Sequence, residues 1–283
     1  MATHSVQWLK MMTTPIEIVI PTYKRVDRQI TYRHLPKFLR ARTTFVVREF
    51  EADEFKEKNP DTKVFVISDD TNGIAETRKK IAHHWAGKRI MVIEDDLSFR
   101  MLKYHADGTS YNATPDVGDW DDLIEDVGRL MDEGYVFGGL QAPGTMPKAY
   151  EDRYCENSRI MYANWFSEDF PLDEIEFMAE DHIEVFPEDC YVNLQLLTKG
   201  YKNMVLDYFR TNVTGGVNEA GGCSDYRTLQ NHNDGTKWLA EQFPDFVSVR
   251  MKTTKNGPWK DLEKAAMTIQ WKRAYASSQA SSS

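Results

Sequence analysis

Ile90-Met91-Val92-Ile93-Glu94-Asp95-Asp96 is the stretch on which the fold turns. Four consecutive apolar residues read as a strand buried on both faces, the kind that parallel sheets use. A strand running straight into three acids crowds like charges at a sheet edge. A hard divalent cation relieves that crowding, because Mg²⁺ or Mn²⁺ takes carboxylate oxygens and fills its shell with a substrate's phosphate oxygens. In open α/β sheets ligands bind beyond the carboxyl ends of the strands, which is where these acids fall. A solvated acidic loop is the competing reading of this motif taken alone.

On either side of this stretch the chain alternates between strand and helix periods. Residues 16–20 form a short apolar run ended by Pro21, and 43–47 and 63–67 are rich in β-branched and aromatic residues, so all three read as strands. Residues 32–40 have helical character, which Pro36 shortens or kinks. Ser68-Asp69-Asp70-Thr71-Asn72-Gly73 is turn chemistry, 74–85 has a helical apolar period, and Gly87 stops it. Strand–helix–strand repetition implies an α/β fold with a mostly parallel, Rossmann-like central sheet flanked by helices.

Farther along, 105–120 reads as loop, 119–133 as helix and 135–140 as strand, with loop again over 141–148. Pro187 opens a helix whose first turn carries Glu188 and Asp189, a favourable place for acids, and Gly200 ends it. The glycines between Thr211 and Gly222 point to close approach of a ligand or another backbone. Residues 230–243 read as the last sizeable helix, and the Ser-rich 276–283 as a disordered tail. Neither repeats nor a linker-like composition break divide the chain, so a single domain over 1–275 is expected.

Composition narrows the function classes. No apolar run approaches the ~20 residues of a membrane span, and no apolar h-region follows the N-terminal charges. A cytoplasmic protein with free thiols at Cys155, Cys190 and Cys223 is expected. The net charge of −9 argues against indiscriminate nucleic-acid binding, but it is unevenly spread. Residues 1–50 carry nine Lys/Arg against three acids, and 199–283 carry twelve against eight. Basic ends around an acidic middle suit a phosphate-bearing ligand.

In order, the chain offers Pro21-Thr22-Tyr23-Lys24-Arg25 after the first strand, Arg78 on a helix, the strand-end acids, and Glu188-Asp189 at a later helix start. This order resembles the GT-A glycosyltransferases, which use nucleotide-diphosphate sugars. The resemblance implies that Pro21, Thr22, Tyr23 and Arg25 cradle the nucleotide, with Asp69, Asp70, Arg78 and Asp95 lining its pocket. It implies that Glu94-Asp95-Asp96 is the family's "DXD" site for Mn²⁺ or Mg²⁺, although Glu94 departs from the usual Asp. The ligating groups are then Glu94 with Asp96, or Asp96 with water, and His232 would supply a third ligand. Asp189 is the first candidate for a catalytic base acting on an acceptor hydroxyl and Glu188 the second. Asp181-His182 is a weaker candidate for acceptor contact.

The C-terminal half narrows the resemblance. Thr211-Asn212-Val213-Thr214-Gly215-Gly216, Gly221-Gly222-Cys223, Arg227, His232-Asn233, Phe243-Pro244 and Trp271-Lys272 are similar to the TET-associated glycosyltransferases of bacteriophages. That family implies transfer from a UDP-sugar, with 14–100 as the nucleotide-sugar half and 101–275 as the acceptor half. The acceptor would be the hydroxymethyl group of 5-hydroxymethylcytosine in phage DNA, and the reaction inverting. Hydroxymethyl-dCMP, a polysaccharide or protein hydroxyl are alternative acceptors. A non-catalytic nucleotide-sugar or nucleic-acid binding module is the alternative of another class, and it leaves both acid sets unexplained.

Overall fold

The computed structural model describes residues 15–143, 153–179, 185–214, 221–222 and 227–281. Its centre is a ten-stranded sheet. The first half supplies β1 (Glu17–Pro21), β2 (Thr43–Arg48), β3 (Lys63–Ile67), β4 (Ile90–Ile93), β5 (Leu97–Tyr104) and β6 (Ser110–Ala113). The second supplies β7 (Phe137–Gln141), β8 (Tyr154–Glu156), β9 (Ala163–Phe166) and β10 (Asn203–Val213). The order is β3-β2-β1-β4-β9-β7-β10-β5-β6, with β8 paired to β10. From β3 to β4 every pairing is parallel, and β7 runs parallel to β10. β9 enters antiparallel between β4 and β7, and β5 runs antiparallel to both β10 and β6. The expected α/β architecture is therefore present, its parallel part running from β3 to β4.

Why the strand-end acids sit where they do follows from β1 and β4. Ile18, Ile20, Met91 and Ile93 point to one face, where they pack with Leu35, Leu39, Phe45, Leu123 and Val127. Val19, Ile90 and Val92 point to the other, with Val46, Ile81, Trp85, Val192 and Leu196. Both faces are covered, as a parallel sheet of apolar runs requires. The helices doing so are α1 (Ile30–His34), α2 (Lys37–Arg40), α3 (Glu49–Lys58), α4 (Gly73–His84), α5 (Val117–Asp132) and α6 (Glu188–Thr198). A third cluster joins α6 to α7 (Leu229–Gln242), to the hairpin β11 (Val247–Thr253) and β12 (Glu263–Ile269), and to α8 (Trp271–Ser281). No helix among the described residues is long and apolar enough to cross a membrane.

Several expectations needed correction. Pro36 divides the expected 32–40 helix, and it stands as the N-cap of α2. The 105–120 loop contains β6 and the start of α5, where Asp116 and Asp119 form a reciprocal capping box. The stretch from Thr211 continues as β10 through Val213 before its glycines begin. The tail expected to be disordered from 276 is helical to Ser281, because Ala274 and its neighbours pack into the third cluster.

Candidate active site

At the carboxyl end of β4 the chain makes an acidic turn that is fixed from several sides. The Asp95 carbonyl accepts from the Thr31 amide at 3.0 Å, the Glu94 carbonyl accepts from the Thr31 hydroxyl, and that hydroxyl accepts from the Leu97 amide. The Glu94 amide donates to the Tyr162 carbonyl and the Thr214 amide to the Asp96 carbonyl. With the backbone held, the side chains divide between two arginines.

Arg25, from the loop after β1, donates through Nη1 to Asp95 Oδ1 at 2.6 Å and to Asp96 Oδ2 at 3.0 Å. Thr22 Oγ1 donates to Asp95 Oδ2 at 2.6 Å, and Gln29 Nε2 donates to Thr22 Oγ1 at 3.1 Å. Burial pushes the Asp95 carboxyl up, with Arg25 and Thr22 opposing. Burial also works against the Arg25 cation, yet Asp95 and Asp96 outweigh it and raise its pKa. Asp96 Oδ1 is buried and has no hydrogen-bond partner among the described residues.

Arg78, on α4, is the second clamp. Its Nη1 donates to Glu188 Oε1 at 2.6 Å and its Nη2 to Glu94 Oε1 at 3.1 Å. One guanidinium thus joins the strand-end acids to the first turn of α6. Burial pushes Glu94 up to about 8, Arg78 opposing and Asp96, Glu188 and Asp95 adding to the rise. Glu188 is raised for the same first reason, against the pull of Arg78. Asp189 is half-buried, and its Oδ1 accepts from the Cys190 amide at 2.8 Å. Of the two base candidates, Glu188 is committed to an ion pair and Asp189 is the one presented.

Tyr23 forms the outer wall of the first loop. Its ring meets Phe50 edge-on at 5.9 Å, and the Arg48 guanidinium lies 5.7 Å from its centre. Asp69 joins this wall by accepting from the Phe50 amide at 2.9 Å, whereas Asp70 is exposed and makes its hydrogen bond with Ser68. Gly222 donates its amide to the Tyr23 carbonyl, and the Gly221 carbonyl accepts from Arg25 Nη2 at 3.3 Å. A Cβ on Gly221 would stand about 3 Å from Arg25 Cγ, Lys24 O and Tyr23 O, at a φ of +90°. Close backbone approach is what this glycine permits.

His232 lies elsewhere. Its Nε2 is 3.3 Å from the Ala265 carbonyl and its ring 5.5 Å from that of Trp259. Burial lowers its pKa, with Lys264 and Arg227 contributing. Among the described residues no three His, Cys, Asp or Glu side chains are grouped to hold a metal ion. Thus the structure does not bring His232 together with Glu94 and Asp96. Asp181 and His182 fall outside the described residues. Sequence reasoning missed Gln29, Thr31 and the buried Glu51, whose Oε2 accepts from the Lys24 amide at 2.8 Å. It also missed Tyr162, placed with a φ of +60° where the charges of Glu94, Arg159, Asp189 and Arg227 all reach it.

A sequence model of the TET-associated glycosyltransferase family matches residues 16–222, which contain the whole arginine–carboxylate cluster. The chain belongs to this family. It is accordingly a glycosyltransferase. It is 30% identical over 244 residues to the beta-glucosyl-HMC-alpha-glucosyl-transferases of Enterobacteria phages T2 and T6, covering 84% of this chain and 84% of each relative. The fold of the TET-associated chain is also that of GalNAc-T7, solved with UDP, GalNAc and Mn²⁺. That match has a TM-score of 0.50 and 10% identity, over 78% of this chain and 47% of the other.

Proposed function

We propose that this chain moves a sugar from a UDP-sugar onto a hydroxyl carried by a 5-hydroxymethylcytosine nucleotide of phage DNA. The observation that carries the reading is the Arg78 bridge, which ties the strand-end acids to the helix start presenting Asp189. A donor's diphosphate at one side and an acceptor hydroxyl at the other would then be held by a single fixed element. The names of the phage relatives support the acceptor class.

Thr22, Tyr23 and Arg25 receive the nucleotide, with Tyr23 and Phe50 offering aromatic faces for the base. Asp96 suits a divalent cation, since its buried Oδ1 has no partner among the described residues. The Glu94 carboxyl, pushed up by burial and then by the neighbouring acids, would be drawn into its charged form by a cation. Magnesium sites of this type use one or two carboxylates and complete the shell with substrate phosphate and water, so Asp96 with Glu94 suffices without His232. Mn²⁺ or Mg²⁺ bound there would stabilise charge on the departing diphosphate. Asp189 takes the proton from the acceptor hydroxyl as its oxygen attacks the anomeric carbon and the bond to the diphosphate breaks.

A second reading is favoured by the relatives' names, which specify beta-glucosyl-HMC and an alpha linkage. The attacked hydroxyl would then belong to a glucose already on the base, and the anomeric outcome would be set by that linkage. Mass spectrometry of nucleosides tests both readings. Plain, hydroxymethylated and β-glucosylated DNA, and free hydroxymethyl-dCMP, are each incubated with Mn²⁺ and a panel of UDP-sugars. A hexose or pentose mass added only to hydroxymethylated DNA supports the first reading, and added only to glucosylated DNA the second. Addition to the free nucleotide alone moves the step ahead of polymerisation. Slow UDP-sugar hydrolysis with no transfer refutes the DNA acceptor, and NMR of the product's anomeric proton decides inversion or retention.

A further inference from the structure

Beneath the β11–β12 hairpin lies a cavity of about 520 Å³, within the size range of small-molecule sites. Its wall includes Arg159, Cys190, His232, Lys252, Lys264 and Trp271, and no carboxylate among the described residues. The pairing register sets Lys252 directly opposite Lys264 across the two strands. Like charges placed so are destabilising in a hairpin by themselves. Arg227 adds to the crowding, because its charge lowers the pKa of both His232 and Lys264. Neither Lys252 nor Lys264 has an acidic partner among the described residues. This convergence occurs in a chain whose net charge is −9. An anion is the group that would relieve it.

The cavity is built rather than accidental. Asn233 on α7 accepts from the Ala265 amide at 2.7 Å and donates to the Glu263 carbonyl at 3.3 Å, fastening α7 to β12. Lys264 Nζ stands 5.2 Å from the centre of the Trp259 ring, so an aromatic face adjoins the cations. Cations beside aromatic faces are how single-stranded nucleic acids are held without base reading. The cavity wall also includes Cys190, the residue after Asp189.

We infer that this cavity binds a phosphate of the acceptor, held by Lys252, Lys264 and Arg159, with Trp259 beside it and the acceptor hydroxyl directed toward Asp189. The inference rests on the proposed acceptor and adds the residues that hold it. A DNA strand and a free nucleotide offer the same phosphate chemistry, so both enter the test.

The full chain and its Lys252→Gln, Lys264→Gln and Lys264→Arg variants are compared, with Lys56→Gln on the exposed face of α3 as an off-site control. Affinity for a fluorescent hydroxymethylcytosine oligonucleotide is titrated across salt concentrations, and KM is measured separately for acceptor and UDP-sugar. Each Gln variant is expected to weaken acceptor binding by roughly three- to ten-fold and to lower the salt slope by about 1, as loss of one phosphate contact does. Acceptor KM rises while UDP-sugar KM holds, and Lys264→Arg and Lys56→Gln behave as wild type. A salt-sensitive loss with the oligonucleotide assigns the phosphate to a strand; a loss confined to hydroxymethyl-dCMP assigns it to the free nucleotide. Unchanged acceptor binding in both Gln variants overturns the inference, as does a rise in UDP-sugar KM alone. Failure of the acceptor reading looks different: wild type transfers no sugar to either acceptor. Oligonucleotide binding that still depends on Lys252 and Lys264 then preserves the anion site, and its absence removes the site too.

Discussion

Arg78→Met tests the link between the two acid sets most directly. The guanidinium is 7% exposed and holds Glu188 at 2.6 Å and Glu94 at 3.1 Å. The Glu188 side chain is 11% exposed, so stranding it without its partner should cost about 2–4 kcal/mol. The Glu94 side chain is 32% exposed and its pair is screened, so its share is under about 1 kcal/mol. A total loss of about 2–5 kcal/mol is expected at alkaline pH. The pH dependence has a definite sign. Glu94 titrates at about 8 in the folded chain, against 4.5 ordinarily, so the folded state keeps an extra proton and stability falls as pH rises through 8. Removing Arg78 removes an interaction that lowers this value, so the variant goes on losing stability above the pH at which wild type levels off. At pH 5 Glu94 is already neutral and has little need of a counter-ion. The gap between variant and wild type should therefore be smallest at pH 5 and widest near pH 9. Urea unfolding followed by circular dichroism at both values measures it. Equal losses at pH 5 and pH 9, or a loss below about 1 kcal/mol at pH 9, would refute the reasoning.

Three further outcomes are expected. Asp189→Asn should cut turnover by ~10²-fold or more while UDP-sugar affinity stays near wild type, and a variant with full turnover would remove Asp189 from the base role. Mn²⁺-supported UDP binding, followed by calorimetry in buffers of different ionisation enthalpy, should release protons and strengthen between pH 6 and pH 9. A cation at Glu94 must displace a proton held up to about 8; Asp96→Ala should abolish the metal-dependent part, and binding independent of pH and of Asp96 would place the cation elsewhere. Gly138→Ala should destabilise by about 1–3 kcal/mol or more, since its Cβ would fall 1.9 Å from Trp165 Cζ2, and an unchanged thermal midpoint would show that Trp165 can move.

The parallel half was legible because its strands are apolar on both faces and its breaks carry turn residues. After β4, β7 was legible as the 135–140 strand, whereas β5, β6, β8, β9 and β10 were not. What β7 did not reveal is why it holds Gly138 and Gly139, which let Trp165 and Ile160 pack closely against it. β10 contains Asp207 and Arg210 and shifts register against β7 between Leu206 and Arg210, so its period is broken by the structure it must form. At the site, the strand-end acids stood out because three acids directly after an apolar strand are unusual. Glu188-Asp189, ordinary in a first helical turn, stood out through their order behind those acids. Gln29 and Thr31 carry no such mark. They matter only because α1 passes beneath the acidic turn, which is a tertiary fact. His232 shows the opposite error, since a histidine of suitable type and order is placed by α7 against Ala265 and Trp259 instead.

Arg25 and Arg78 give the acidic turn counter-ions encoded in the chain itself. Assembly of the turn therefore does not wait for a ligand. Protein made before any donor is at hand can fold to its final shape and remain in reserve. On the proposed function, a diphosphate or cation reaching the turn would take over some of these contacts, so that loading would be an exchange of partners rather than the filling of a void. A chain organised this way separates how long the folded protein lasts from how often it is used.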